Sequence, residues 1–148
     1  MSDFSVHFTI PGPPRGKGRP RFSNGRAYTD EKTKAYEEVI AWQFMSAQRR
    51  WQLSPDQWER VKKAQVSIVI IASYEVPKSD SKKVRLEKLE NRQRPMKKPD
   101  IDNVCKAVLD GLNRLAYEDD TQVYHLHAIK RYDETPRVEV SVIYDNCL

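Results

Sequence analysis

The stretch Lys98–Leu115, KPDIDNVCKAVLDGLNRL, governs how the rest of the chain is read. Ile101, Val104, Cys105, Val108, Leu112 and Leu115 recur at three- and four-residue steps, which places one apolar stripe on a helix from about Asp100 to Leu115. Pro99 stands just before the start, where a missing N–H removes no helical hydrogen bond. Asp102, Lys106 and Asp110, four residues apart, share the polar face. YEDDTQV then adds Glu118, Asp119 and Asp120, so residues 100–120 hold six acids against Lys106 and Arg114, a net charge of −4 (two minus six). The segment before it is the reverse. Residues 78–98 carry nine Lys or Arg against three acids, a net +6 (nine minus three), with too few apolar positions for a core; Val84 and Leu89 mark only a weak helical pattern. This segment reads as a mobile basic arm.

Working outward, FSVHFTI alternates Phe4, Val6, Phe8 and Ile10 against Ser5, His7 and Thr9, the period-2 pattern of a half-buried strand. Residues 11–29 hold four Pro, four Gly and five cations (Arg15, Lys17, Arg19, Arg21, Arg26) with no acid, which predicts an exposed basic loop. From Asp30 to Trp51, Tyr36, Val39, Ile40, Phe44, Ala47 and Trp51 follow helical spacing, with Thr29 or Asp30 as N-cap. Pro55 to Lys63 adds a short helical turn. The Val/Ile run in QVSIVIIASYEV predicts a central strand buried on both faces. After the acidic turn, QVYHLHAIKRY and RVEVSVIYD read as strands joined at DETP, the second turning Val138, Val140, Val142 and Tyr144 inward. The order strand, helix, strand, helix, strand, strand predicts an α+β fold with a small mixed sheet, and 148 residues fit one domain, 1–148.

Composition narrows the class. A charged fraction of 32% with 39% hydrophobic residues describes a globular protein with a real core, and no window approaches the ~18 apolar residues of a membrane span. With no basic leader and an apolar run after it, the cytoplasm is the expected location. The net charge of +5 favours a polyanionic partner because it is clustered. Cys105 and Cys147 form no paired-ligand spacing, so zinc and a disulfide framework are not expected. GKGRPR lacks the spacing of a nucleotide-binding loop. His125 and His127, alternate residues on one strand, read as structural. Phe22 and Tyr28 either stack on unpaired bases or anchor the loop to the core.

The acids admit two readings. If the turn bearing Asp119 and Asp120 doubles back on the helix that begins at Asp100 and Asp102, three or four carboxylates converge, and such a set calls for raised pKa values or a hard cation such as Mg²⁺. Lys106 on the same face would stabilise developing phosphate charge. The plainer reading makes Asp100 an N-cap, Asp102 a partner of the helix dipole, Lys106 and Asp110 an ordinary ion pair, and Asp119-Asp120 turn residues.

FTIPGPPRGKGRPRF, KPDIDNVCKAVLDGLN and DDTQV together resemble the RusA-like family of Holliday junction resolvases, over nearly the whole chain. The resemblance implies a homodimeric, Mg²⁺-dependent endonuclease, with Mn²⁺ as a substitute, that binds branched DNA and makes paired symmetric cuts in recombination and repair. By motif position it implies Asp100, Asp102 and Asp120 as metal ligands and catalytic acids, Lys106 as catalytic lysine, and Asn103 and Asp119 in support. DNA phosphates would meet Arg15, Lys17, Arg19, Arg21 and Arg26 and the run Arg92, Arg94, Lys97 and Lys98. The surplus apolar positions of the 30–51 helix would form the dimer interface. A DNA-binding module without catalysis and a less selective branched-DNA nuclease are the rival readings.

Overall fold

The computed structural model describes residues 2–148. Strand β1 (Phe4–Pro11) is followed by a hairpin, β2 (Arg21–Ser23) and β3 (Arg26–Tyr28), then helices α1 (Glu31–Arg49) and α2 (Pro55–Lys62) and strand β4 (Val66–Glu75). Helices α3 (Lys82–Leu89) and α4 (Ile101–Leu112) precede a single 3₁₀ turn (Asp120–Gln122) and strands β5 (Val123–Asp133) and β6 (Arg137–Tyr144). The main sheet has the order β1-β6-β4-β5; β6 is antiparallel to both neighbours and β4 runs parallel to β5. The α+β class and the mixed sheet expected from the pattern are therefore present.

One face of the sheet carries the core. Phe4, Val6, Phe8 and Ile10, Val138, Val140, Val142 and Tyr144, and Val66, Ile68, Ile70 and Ala72 are buried at alternate positions, and α1 and α4 cover them with Ile40, Phe44, Val104, Val108 and Leu112. The other face is polar and open, with His7 bonded to Ser141 (2.7 Å), Ser67 to His125 (2.9 Å), and Arg131 bridging Ser73 (2.9 Å) and Glu139. Strand β4 is central as expected, but its second face is covered only in part: Ser67 and Ser73 are buried there while Val69 and Ile71 are half-buried. An apolar run reports a central position, and here polar neighbours on β5 and β6 supply the partial cover on that side.

Two further expectations change. Strands β5 and β6 are joined at DETP yet are not neighbours, because β4 lies between them and the connection crosses its C-terminal end, where the Val76 amide donates to the Asp133 carbonyl (3.3 Å) and Arg137 pairs with Asp133. The 78–98 segment is not a loose arm either. Ser81 caps α3, Lys88 pairs with Asp80 (2.6 Å) and lies over the Tyr132 ring, Arg94 donates to the Lys130 carbonyl (3.1 Å), and Lys130 donates to the Lys97 carbonyl (2.6 Å). Its few apolar groups suffice because its cations find carbonyl, carboxylate and ring partners on β5 and its own turns.

Candidate functional site

Asp100 occupies the N-cap position of α4 in extended conformation (φ −66°, ψ 152°), but its side chain makes no capping hydrogen bond. Asp30, the N-cap of α1, accepts from the Thr33 amide at 2.7 Å, and that bond is the main cause of its lowered carboxyl pKa. The plainer reading of Asp100 therefore gets the position right and the interaction wrong: its carboxylate is uncommitted. Asp102, one position into the helix, and Lys106, one turn on, are exposed and carry no ion pair among the described residues. Asp110 does not pair with Lys106; its partner is Lys17 (3.1 Å).

The return after α4 is firmly seated. The Tyr117 hydroxyl donates to the Leu109 carbonyl (3.2 Å), the Glu118 amide to the Lys62 carbonyl (3.3 Å), and the Gln122 amide group to the carbonyls of Lys62 and Ala64 (both 2.8 Å). This brings the acidic turn back beside α4, where Asp120, Asp110 and Asp119 add to the burial that raises the Tyr117 pKa. The two adjacent acids differ in role. The Asp119 amide donates to Gln122 Oε1 (2.9 Å) and its carboxylate accepts from the Thr121 hydroxyl (2.8 Å), whereas the exposed Asp120 carboxylate makes no hydrogen bond or ion pair among the described residues. No three His, Cys, Asp or Glu side chains among the described residues stand close enough to form a ready cation cage. The donor set still fits a hard divalent cation in type, since Asp100, Asp102 and Asp120 are exposed carboxylates with no ion-pair partner among the described residues.

Asn103 and the two glycines of GKG join the basic loop to this helix. The Lys17 amide donates to Asn103 Oδ1 (3.1 Å), and a Cβ on Gly16 would lie 2.8 Å from Asn103 Cγ. The Gly18 amide donates to Thr33 Oγ1 (3.0 Å), and a Cβ there would lie 2.5 Å from Asp30 Oδ2. Only glycine lets the loop approach the starts of both helices so closely. Lys17 between them turns inward: its ammonium meets Glu37 and Asp110, with the side chain 19% exposed. Burial opposes that charge, but the two carboxylates outweigh it and raise the pKa. Expected as a phosphate ligand, Lys17 is here an internal clamp, and the G-x-G flanking it was the signal for a close backbone approach.

The docked loop encloses a cleft of about 580 Å³ lined by Arg15, Arg19, Lys32, Tyr36, Lys98 and Asp100 among others. Its cations face the uncommitted end of α4. Tyr36 lines it unpredicted, as a buried core residue of α1. Of the other basic residues, Arg21 and Arg26 lie exposed on the hairpin, Arg92 pairs with Glu90 (2.7 Å), Arg94 is held by the Lys130 carbonyl, and Lys97 lies 6.0 Å from the centre of the Tyr132 ring. His125, bonded to Ser67, and His127 sit exposed on the open sheet face in register with β4.

The mixed sheet, the acid-headed helix and the basic loop docked at the head of that helix are consistent with the fold of the RusA endodeoxyribonuclease family. The chain belongs to that family: residues 11–143 match the family described as Endodeoxyribonuclease RusA. Over 143 residues it is 37% identical to the "Uncharacterized protein YqaN" of Bacillus subtilis (strain 168), covering 93% of this chain and 94% of that protein.

Proposed function

We propose that this nuclease is a divalent-metal-dependent resolvase of four-way DNA junctions, acting in the cytoplasm as a homodimer that makes two symmetric cuts. The observation that carries the reading is that the carboxylates of Asp100, Asp102 and Asp120 make no hydrogen bond or ion pair among the described residues, with Asp100 lining a cleft rich in cations. The three carboxylates would hold Mg²⁺, or Mn²⁺ in its place, which supplies Lewis-acid polarisation of the phosphate and lowers the pKa of the attacking water. Lys106 stabilises charge on the phosphate as it becomes five-coordinate, having no competing carboxylate to neutralise it. Asn103, Gly16 and Gly18 hold Arg15 and Arg19 at the rim so that a strand phosphate is held before the acids. Arg21, Arg26, Arg92, Arg94, Lys97 and Lys98 supply further phosphate contacts.

Two opposed nicks at a two-fold symmetric junction need a two-fold symmetric enzyme in the simplest case. Helix α1 offers the surface for it, since Val39 and Trp42 lie exposed on its outer side, Trp42 at 67%.

The deciding experiment is cleavage of a labelled four-way junction and a matched linear duplex, with Mg²⁺, Mn²⁺ or chelator, beside Asp102→Asn. Paired metal-dependent nicks confined to the junction, lost in the variant while binding persists, support the reading. Binding without cleavage under every metal condition rejects catalysis, and equal cutting of the duplex rejects junction selectivity.

A further inference from the structure

The hairpin of β2 and β3 is the part of the basic segment that neither the core nor the acidic site explains. All residues from Arg19 to Thr29 are exposed, and the strands are three residues each around a turn at Asn24 (φ 52°) and Gly25 (φ 74°). So short a ribbon gains little from burial and is marginal as an isolated element. Its register pairs Arg21 with Tyr28 and Ser23 with Arg26 on one face, and Phe22 with Ala27 on the other. Phe22 therefore faces only a methyl group across the ribbon and is 76% exposed; Tyr28 is 48% exposed. Neither anchors the loop.

A single exposed aromatic ring is ordinary on a protein surface. This ring is set apart by its surroundings: it stands between Arg21 and Arg26 in a stretch, residues 11–29, with five cations and no acid, which suits a polyanion and discourages burial against an apolar partner. Its place matters equally. Gly18, docked against Thr33 and Asp30, leads through Arg19 directly into the ribbon, and the groove lined by Arg21, Tyr28, Asp30, Glu31 and Lys32 shares Asp30 and Lys32 with the cleft that reaches Asp100. Phenylalanine has no donor or acceptor with which to read a base edge, so its gain from DNA comes from stacking on an exposed base face. An intact linear duplex hides those faces, and an open branch point presents them.

We propose that the β2–β3 hairpin is a branch-point wedge, in which Phe22 stacks on an unpaired or unstacked base while Arg21 and Arg26 hold the flanking phosphates. The wedge deepens the junction-resolvase reading and rests on it: the cleft binds a strand, and Phe22 selects the place on DNA where a base can be displaced.

The test uses the full chain in chelator, so that no strand is cut, with a four-way junction carrying 2-aminopurine either at the branch point or in the middle of an arm. The wild type should raise branch-point fluorescence at least about twofold at saturation and leave the arm probe unchanged, because an unstacked base fluoresces more strongly. Phe22→Ala should abolish the rise and weaken junction binding about tenfold with linear-duplex binding unaltered, and Phe22→Trp should restore both. An unchanged rise with Phe22→Ala, no rise with the wild type, or equal loss on junction and duplex overturns the wedge. A wild type that neither prefers nor, with metal restored, cuts the junction instead overturns the resolvase reading. Junction cutting with a flat branch-point signal sinks the wedge alone.

Discussion

At the residue scale, Asp100 and Asp30 occupy the same kind of position for different reasons, and stability separates them. Asp30→Ala removes a capping bond to Thr33 and should cost about 1 kcal/mol in urea unfolding, whereas Asp100→Asn removes no such bond and should change stability by less than about 0.5 kcal/mol while abolishing cleavage. An Asp100 variant that unfolds as readily as the Asp30 variant would return Asp100 to the role of a cap. Lys17→Met leaves Glu37 and Asp110 facing each other without a cation, and should cost about 1–2 kcal/mol; Arg26→Gln, on the exposed hairpin, should cost nothing measurable and weaken DNA binding instead. The residue types around the site were legible in the sequence, including all three uncommitted acids. Which lysine was a clamp and which was free was not, because Lys17 and Lys106 differ only in what the fold brings to them.

At the scale of elements, the seam between the basic loop and α4 holds that loop against the head of the acidic helix. Gly16→Ala forces the Asn103 side chain to move, and the loop carrying Arg15 and Arg19 with it, so cleavage should fall about 10- to 100-fold with a much smaller change in thermal stability. A steady-state comparison beside a melting curve checks this; equal loss of both would mean that the seam only stabilises the fold. The helix pattern of α4 was readable because Val104, Val108 and Leu112 are buried at the spacing the sequence shows. The order of α3 and the residues after it was not readable, because what holds them is a set of cation contacts to Tyr132 and to carbonyls on or beside β5 rather than an apolar stripe.

For the whole molecule, charge decides both the partner and the alkaline limit. Each exposed Arg that contacts a phosphate should contribute about one unit to the slope of log K against log salt, so Arg15→Gln with Arg19→Gln should flatten it by about two, and an unchanged slope would place those residues away from DNA. Burial raises the Tyr144 phenol above its ordinary 10.0, and Glu37 and Asp110 raise Lys17 above 10.5 despite its burial. In both cases the folded pKa exceeds the unfolded one, so the stability these groups confer is complete below about pH 10 and is lost as pH rises through the folded values. Chemical denaturation at pH 8, 10 and 11 should show a flat region and then a fall, with the fall reduced in Lys17→Met.

Read alone, the sequence determined the class of fold and the positions of β1, α1, β4, α4 and β6, because apolar periodicity is a local property of the chain, and its motifs pointed to the family. Tertiary structure alone decided that β6 inserts between β1 and β4, that Asn103 docks the loop and that Lys17 faces inward. Each of these depends on which groups meet across 15 to 138 residues of chain, as Gly18 meets Thr33 and Ser5 meets Ile143; only the packed core brings such groups together.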